Sequence, residues 1–146
     1  MKYKYSAASG QMNVDGRFTK RPVVEVEISN GARKRKFLAL IDSGADQIIM
    51  PAVIAEVLGI DRGTSPKRTA MGISMERLDG FVRHLTFQIE HLPEPFTAPV
   101  IFVDTDVPVL LGREGFFDQN RIKFEQDHGT FEISPTPTHR RASSRR

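Results

Sequence analysis

Residues 38–51 read LALIDSGADQIIMP, an apolar run typical of a buried strand that is interrupted by Asp42-Ser43-Gly44. Moving a carboxylate out of water costs free energy unless the group is hydrogen-bonded. The glycine two residues later permits a tight turn and lets another chain approach the backbone closely. An acid at the end of a core strand, followed directly by a turn, therefore needs a structural or chemical reason.

The length and composition indicate a single soluble domain. The chain has 146 residues, enough for one sizeable core and too few for two. It contains no cysteine, which excludes disulfides and thiolate chemistry and suits a reducing compartment. No apolar run approaches the roughly 18 residues of a membrane span, and residues 1–11 lack the apolar stretch of a signal peptide. We expect a cytoplasmic protein without a membrane partner.

The net charge of +3 is modest. Much of it lies in residues 33–36, which read RKRK, and in the C-terminal arginines. Lysines at a hairpin edge discourage strand-to-strand aggregation, so we do not infer a nucleic-acid partner from this charge alone. A nucleic-acid-associated protein that uses the basic tail remains a weaker alternative.

The first part of the chain predicts a β-hairpin followed by a short helix. The β-branched run over 23–28 is typical of a strand, and Asn30-Gly31 is a strong short-range signal for a hairpin turn. We expect the return strand over 33–41 and a short apolar continuation over 47–50. A proline at the first helical position and a glycine just past the end predict a helix over 51–58.

The remainder of the chain predicts mainly strands. Alternation over 81–89 places Phe81, Leu85 and Phe87 on one face of a strand. The expected elements are a loop over 61–69, a long hairpin over 69–90 with its tip near residues 72–75, a proline-rich loop to Pro99, strands over 100–103 and 107–112, a short helix over 113–120 and a closing hairpin over 122–133.

Three segments follow from these patterns. Residues 1–21 are expected to form a partly ordered N-terminal extension, and residues 22–133 one mainly-β domain with seven or eight strands and two short helices. Residues 134–146 are rich in proline, serine and arginine, and we expect a disordered basic tail there.

The acid at the turn has a chemical and a plain interpretation. Two carboxylates held close together cannot both ionise, so one keeps its proton and acts as an acid while the other acts as a base and activates a water. Such a pair titrates as one unit. In the plain interpretation, Asp42 caps a backbone amide where the strand leaves the sheet.

Several motifs in the right order resemble one protein family. Asp42-Ser43-Gly44-Ala45 resembles the Asp-Thr/Ser-Gly-Ala signature of aspartic proteases, and residues 24–45 resemble the N-terminal hairpin and active-site strand of the retropepsins, the retroviral-type proteases. Residues 69–89 resemble their flap hairpin, and Val109-Leu110-Leu111-Gly112-Arg113 resembles the segment before their C-terminal helix. The resemblance covers residues 23–124, and two motifs about seventy residues apart make it more specific than a lone Asp-Ser-Gly.

The resemblance implies a retropepsin-like closed β-barrel, a mainly-β acid protease fold with one or two short helices. It also implies an aspartic endopeptidase in which matching positions have defined roles. These are catalysis for Asp42, Ser43 and Gly44, substrate binding for Ala45, Asp46, Gly72, Ile73 and Leu110, and structural support for Gly112 and Arg113, which would pair with Asp46.

A single signature on one chain implies a homodimer. The nearest second candidate, Asp104-Thr105-Asp106, has aspartate where the signature requires glycine. An isologous twofold dimer would supply one Asp42 from each subunit. The resemblance further implies a peptide or unstructured protein as substrate, bound extended under the flaps, and implies no metal and no organic cofactor.

Other residues were weighed as metal sites. Asp104 and Asp106 carry carboxylates that suit a hard cation, although a solvated loop beside a strand is the simpler interpretation. The histidines have no spacing typical of zinc ligands; they are His84, His91, His128 and His139.

Simpler interpretations remain open for other residues and for the function as a whole. Asp46 and Arg113 are also consistent with an ordinary surface ion pair, which stabilises little. Neither Ser43 nor Ser74 lies in a nucleophile elbow. The functional alternative is a catalytically silent dimer of the same fold that binds peptides or scaffolds an assembly.

Overall fold

The computed structural model describes residues 1–71 and 76–137. Within these ranges the chain forms twelve strands and one regular α-helix, so it is mainly β. The elements are β1 Lys2–Lys4, β2 Ser6–Met12, β3 Phe18–Arg21, β4 Val23–Asn30, β5 Arg33–Ile41, β6 Ile48–Pro51, α1 Ala52–Val57, β7 Lys67–Met71, β8 Arg77–Ile89, β9 Phe96–Val103, β10 Val109–Leu111, β11 Asn120–Glu125 and β12 Thr130–Pro135. No helix in the described ranges is long and apolar enough to cross a membrane.

Six strands close into a barrel. They follow the order β4-β5-β10-β6-β9-β8, and β8 pairs back onto β4 through the register of Val26 with Ile89. Most neighbours are antiparallel, but β10 runs parallel to β5 and β6 runs parallel to β9. Closure removes free strand edges from the ring. The predicted closed, mainly-β barrel is confirmed.

Alternating apolar residues fill the barrel. Val24, Val26 and Ile28 of β4 are each at most 2% exposed, while the acids between them face outward. Burying each such side chain contributes about 1.5–3 kcal/mol. A second, smaller cluster lies apart from this core. Its buried members are Ile49, Ala70, Ile101 and Val103.

The hairpin β4–β5 has the predicted turn. Asn30 pairs with Arg33, and Gly31 has a φ of +59°, a conformation that favours glycine. The Asn30 amide also donates to the carbonyl of Leu58 at 2.9 Å, which ties the turn to the end of α1. The return strand spans the predicted residues 33–41.

The helices are shorter than predicted. The regular helix α1 begins after Pro51, and Gly59 follows it with a φ of +67°. The helix predicted over 113–120 is only an irregular turn over Arg113–Phe117, because Glu114 and Gly115 leave helical geometry. Gly115 has a φ of +91°, which favours glycine, and it also lies close to Ala98, where a Cβ would be 2.6 Å from the alanine methyl.

Two strands extend into regions where the sequence predicts loops. β7 begins at Lys67, inside the expected loop, and β9 begins at Phe96 and includes Pro99. Residues 96–99 pair with β8, and the pairing with β6 begins at Val100. A proline is tolerated where one side of a strand has no ladder to donate into.

The N-terminal residues form three strands. β1 pairs with β12, which in turn pairs with β11, so the two ends of the described chain share a three-stranded sheet. Tyr3 stacks on Phe131 with ring centroids 5.2 Å apart, and its hydroxyl donates to the carbonyl of Glu90 at 2.5 Å. β2 and β3 form a separate hairpin.

The C-terminal hairpin lies where the sequence predicts it. Gly129 closes the turn between β11 and β12 with a φ of +61°. β12 continues through Ser134 to Pro135, so the predicted start of the basic tail falls within a strand. Residues 138–146 of that tail lie outside the described residues.

Candidate active site

Asp42 lies at the end of β5, one residue beyond the strand. Its backbone N–H donates to the carbonyl of Leu111 at 3.1 Å, which continues the parallel pairing of Ile41 with Leu111. The neighbouring β10 therefore holds the backbone of Asp42 in place. The side chain is half-buried, whereas Ser43 and Gly44 are exposed.

The turn after Asp42 is held by the acid itself. The N–H of Gly44 donates to Oδ1 of Asp42 at 2.9 Å, and the N–H of Ala45 donates to the Asp42 carbonyl at 3.2 Å. The plain interpretation, an acid that caps a backbone amide, is thus correct. The cap does not bury the site, because the backbone of Gly44 is exposed and the Asp42 side chain is only half-buried.

Gly112 lets the chain after β10 come close to the segment between Asp42 and β6. A Cβ at this position would lie 2.1 Å from the carbonyl oxygen of Gln47 and 2.8 Å from that of Ala45. Its φ of −94° is ordinary, so the requirement for glycine comes from close approach. The residue therefore sets how near β10 comes to the Asp42 turn.

Arg113 also holds the turn that follows Asp42. Its guanidinium donates to the carboxylate of Asp46, its backbone N–H donates to the Ala45 carbonyl at 2.9 Å, and the N–H of Glu114 donates to the Asp46 carbonyl at 2.8 Å. The predicted pairing of Arg113 with Asp46 is present. Both side chains are more than half exposed, so the ion pair itself stabilises the fold little.

An apolar surface leads to the carboxylate. Leu40 of β5 pairs in register with Leu110 of β10, and Leu110 pairs with Ile49 of β6. Successive side chains alternate between the faces of a sheet, and Ala39 and Ile41 point into the core. Leu40 and Leu110 therefore face outward, and one further step of the alternation brings Asp42 to that face.

Asp104, which was considered as a metal ligand, is paired with Arg62. Its carboxylate accepts two hydrogen bonds from the guanidinium of Arg62, one of them at 2.7 Å. These hydrogen bonds lower the pKa of Asp104 below its ordinary value. Within the described residues, no three histidine, aspartate or glutamate side chains are grouped so that they could hold a metal ion.

Two clefts of the described chain have linings that do not include Asp42. One of about 680 Å³ lies at the base of the β7–β8 hairpin, between Arg62 and Phe81. Another of about 360 Å³ lies beside Asp104. Asp42 itself is half-buried. The predicted flap residues Gly72 and Ile73 lie outside the described residues.

The comparisons with known proteins identify the fold and leave the family open. No protein-family model matches the chain, and no curated protein matches it in sequence. Among solved structures, it is similar to the EIAV protease complexed with the inhibitor HBY-793, with a TM-score of 0.51. The match has 21% identity and covers 70% of this chain and 88% of that one. The fold is retropepsin-like. At this identity the likeness concerns the fold alone, so the roles of individual residues stay predictions.

Sequence reasoning missed part of this surface. Leu40 was not among the predicted site residues, although the alternation of β5 around Ala39 and Ile41 could have placed it on the outer face. The steric role of Gly112 against Gln47 has no signal in the local sequence, because the two residues meet only after β6 and β10 pair.

Proposed function

We propose that the protein is a homodimeric aspartic endopeptidase that hydrolyses peptide bonds with a water activated by two Asp42 carboxylates, one from each subunit. The observation that carries this proposal is the position of the half-buried Asp42 at the end of β5, in a turn held by Gly44 and by the backbone of Leu111. The retropepsin-like fold supports it, since the EIAV protease has the same fold.

The chemistry requires two carboxylates that share one proton. The ionised Asp42 takes a proton from the water, the oxygen of that water adds to the peptide carbonyl carbon, and the protonated Asp42 of the second subunit gives its proton to the carbonyl oxygen. The resulting diol collapses as the C–N bond breaks: one of its hydroxyls gives a proton to the acid that is now ionised, and the acid that is now protonated gives its proton to the leaving nitrogen. The pair of acids holds one proton at the end, as it did at the start.

The surface beside Asp42 suits an extended peptide. Leu40 and Leu110 offer apolar contact for alternate side chains, and the exposed backbone at Ser43 and Gly44 offers hydrogen-bonding groups to a chain lying along it. A second subunit facing this surface encloses the peptide between the two copies of Asp42. A peptide or unstructured protein is the substrate class that fits.

The decisive experiment compares wild type with Asp42→Asn on an unstructured protein and on a peptide library. The amide is nearly isosteric and still accepts from Gly44, so the variant is expected to keep its fold and its dimer. Its cleavage rate should fall by at least about 10³-fold. Asp127→Asn is the matched control, because this acid is 79% exposed and lies in the turn between β11 and β12.

The pH dependence gives a second criterion. Wild type should cleave best at acidic pH, with a loss of activity on both sides of the optimum, because only the singly protonated pair is active. Equal cleavage by wild type and Asp42→Asn would refute the enzyme. A dimer that binds peptides and cleaves none would instead support the silent scaffold.

A further inference from the structure

The hairpin β2–β3, residues 6–21, forms a two-stranded sheet of its own, and we call it the arm. Its residues share the lining of a cleft with Gln126 and Gly129, in the turn between β11 and β12. Its strands pair with each other, from Ser6 with Arg21 to Met12 with Phe18, and belong to neither of the other sheets. Its turn is closed from within by the N–H of Asn13, which donates to the carbonyl of Arg17 at 2.7 Å. A two-stranded hairpin alone is at best marginally stable in water.

The end of the arm is apolar and uncovered. Met12 is 60% exposed, Phe18 is 56% exposed and Val14 is fully exposed. None of the three belongs to a hydrophobic cluster formed by the described residues. Single exposed apolar side chains are ordinary, whereas three of them at one end of a hairpin form a surface of the kind that a partner covers.

The arm is attached beside the candidate active site. Its second strand leads through Pro22 into β4, and the N–H of Ile41 donates to the Pro22 carbonyl at 2.9 Å. Ile41 directly precedes Asp42. At the start of the arm, the N–H of the preceding residue Tyr5 donates to the carbonyl of Gly129 at 2.7 Å. Both ends of the arm are therefore tied to the rest of the protein.

We infer that the arm clasps a second copy of this chain, with Met12, Val14 and Phe18 packed against the partner subunit. This inference rests on the proposed function, because a dimer that joins two Asp42 side chains must form its contact at the face where the arm is attached. The seven residues of β2 span on the order of 20 Å at about 3.3 Å per residue, which reaches well across such a contact.

Twofold symmetry makes the contact reciprocal. Each subunit contributes one arm and receives the other, so three apolar side chains are covered twice per dimer. Leu38 is also 69% exposed and lies on the same outer face four residues before Asp42. Apolar surface is therefore present both on the arm and on the face to which it is attached.

The first test measures dimerisation with the arm made polar. Sedimentation equilibrium is run on Asp42→Asn protein, which removes self-digestion, with and without the changes Met12→Ser, Val14→Ser and Phe18→Ser. The dissociation constant of the dimer should rise at least about tenfold, since buried apolar anchors dominate interfaces. The matched control is Val53→Ser with Val57→Ser, which removes exposed apolar surface from α1. Circular dichroism checks that every variant is folded.

The outcomes of this test distinguish a failure of the clasp from a failure of the proposed function. A dimer whose dissociation constant is unchanged by the arm variant, or equally weakened by the α1 control, overturns the clasp and leaves the two-subunit enzyme intact. A protein that is monomeric at every accessible concentration overturns both.

The second test maps the contact directly. The chain has no cysteine, so Val14→Cys creates a unique thiol for a maleimide photo-crosslinker. Dimers are formed from equal amounts of ¹⁴N- and ¹⁵N-labelled protein, and the cross-linked peptides are identified by mass spectrometry. Cross-links that join light to heavy peptides are expected. Cross-links confined to peptides of the same label would overturn the clasp.

Discussion

Arg113 and Asp46 lie 67 residues apart in the sequence, and the guanidinium of one donates to the carboxylate of the other. The backbone of Arg113 also donates to Ala45, so β10 and the Asp42 turn are joined by main chain and side chain together. Because the side chains are exposed, the pair is better suited to positioning the turn than to stabilising the fold.

Replacing Arg113 should therefore affect activity more than stability. We expect Arg113→Lys to lower the free energy of unfolding by at most about 1 kcal/mol, as for an exposed ion pair. A small displacement of the Asp42 turn should lower kcat/KM by on the order of 10²-fold. Thermal unfolding and peptide cleavage measure the two effects. Lys36→Ala, which breaks the exposed pair with Glu25, should change neither strongly, and a similar loss of activity in that control would contradict the positioning role.

Adding a methyl group to Gly112 should be costly for steric reasons. The Cβ of Gly112→Ala would meet the Gln47 carbonyl at 2.1 Å, and such overpacking destabilises by about 1–3 kcal/mol or more. Gly129→Ala is the contrasting variant, because its Cβ meets nothing within 4 Å and only its φ of +61° is strained. That strain costs about 1–2 kcal/mol. Chemical denaturation should find Gly112→Ala the less stable of the two, and the reverse order would contradict the close approach.

Leu110 and Leu111 are adjacent but should respond differently to truncation. Leu111 is 0% exposed in the core, so Leu111→Ala should cost about 2–5 kcal/mol. Leu110 is half-buried on the outer face, so Leu110→Ala should cost less. Only Leu110→Ala is expected to change which side chains are accepted around the cleaved bond, in a peptide-library digest performed where both variants are folded. An unchanged preference would remove Leu110 from the substrate surface.

Mixing subunits tests the sharing of one site between two chains. If wild type and Asp42→Asn exchange freely in equal amounts, random pairing leaves about a quarter of the dimers with two intact acids. Activity per wild-type chain should then fall to about half, because mixed dimers carry one acid and are inactive. Addition of Asp127→Asn protein should produce no such loss. Full retention of activity after complete exchange would show that one Asp42 suffices.

Tyr3 should make the fold sensitive to alkaline pH. Burial, with a smaller effect of the nearby Glu90 carboxylate, raises the pKa of Tyr3 from 10.0 to about 12. A group whose pKa is raised on folding contributes stability that is present below its unfolded pKa and lost as pH rises through the folded value. The free energy of unfolding should therefore decline between pH 10.0 and about 12.

The matched variants separate the two tyrosines of the chain. Tyr3→Phe should show a smaller alkaline decline and should lose about 1 kcal/mol at neutral pH, since its hydrogen bond to the Glu90 carbonyl is gone. In Tyr5→Phe, the remaining tyrosinate absorbance belongs to Tyr3 and should titrate near pH 12. A midpoint near the ordinary value would contradict the burial of the hydroxyl.

Local patterns in the sequence were enough for much of the barrel and for the Asp42 turn. Alternation in β8 placed Phe81, Leu85 and Phe87 on one face, and all three are buried, while Asn30-Gly31 identified a turn that needs a positive φ. These signals are local, because side-chain alternation and backbone preference depend on a few neighbouring residues. The acid, hydroxyl and glycine of the signature likewise stand next to one another.

The features that the sequence did not predict depend on long-range packing. Pro99 belongs to a strand because β8 pairs with it, the expected second helix is broken where Gly115 passes Ala98, and the N-terminal segment forms a strand because Tyr3 stacks on Phe131. The fit of Gly112 against Gln47 likewise exists only in the folded chain. Such contacts join residues far apart in sequence, and their free energy is gained only after the ring of strands has closed, so no short segment carries the information by which they could be foreseen.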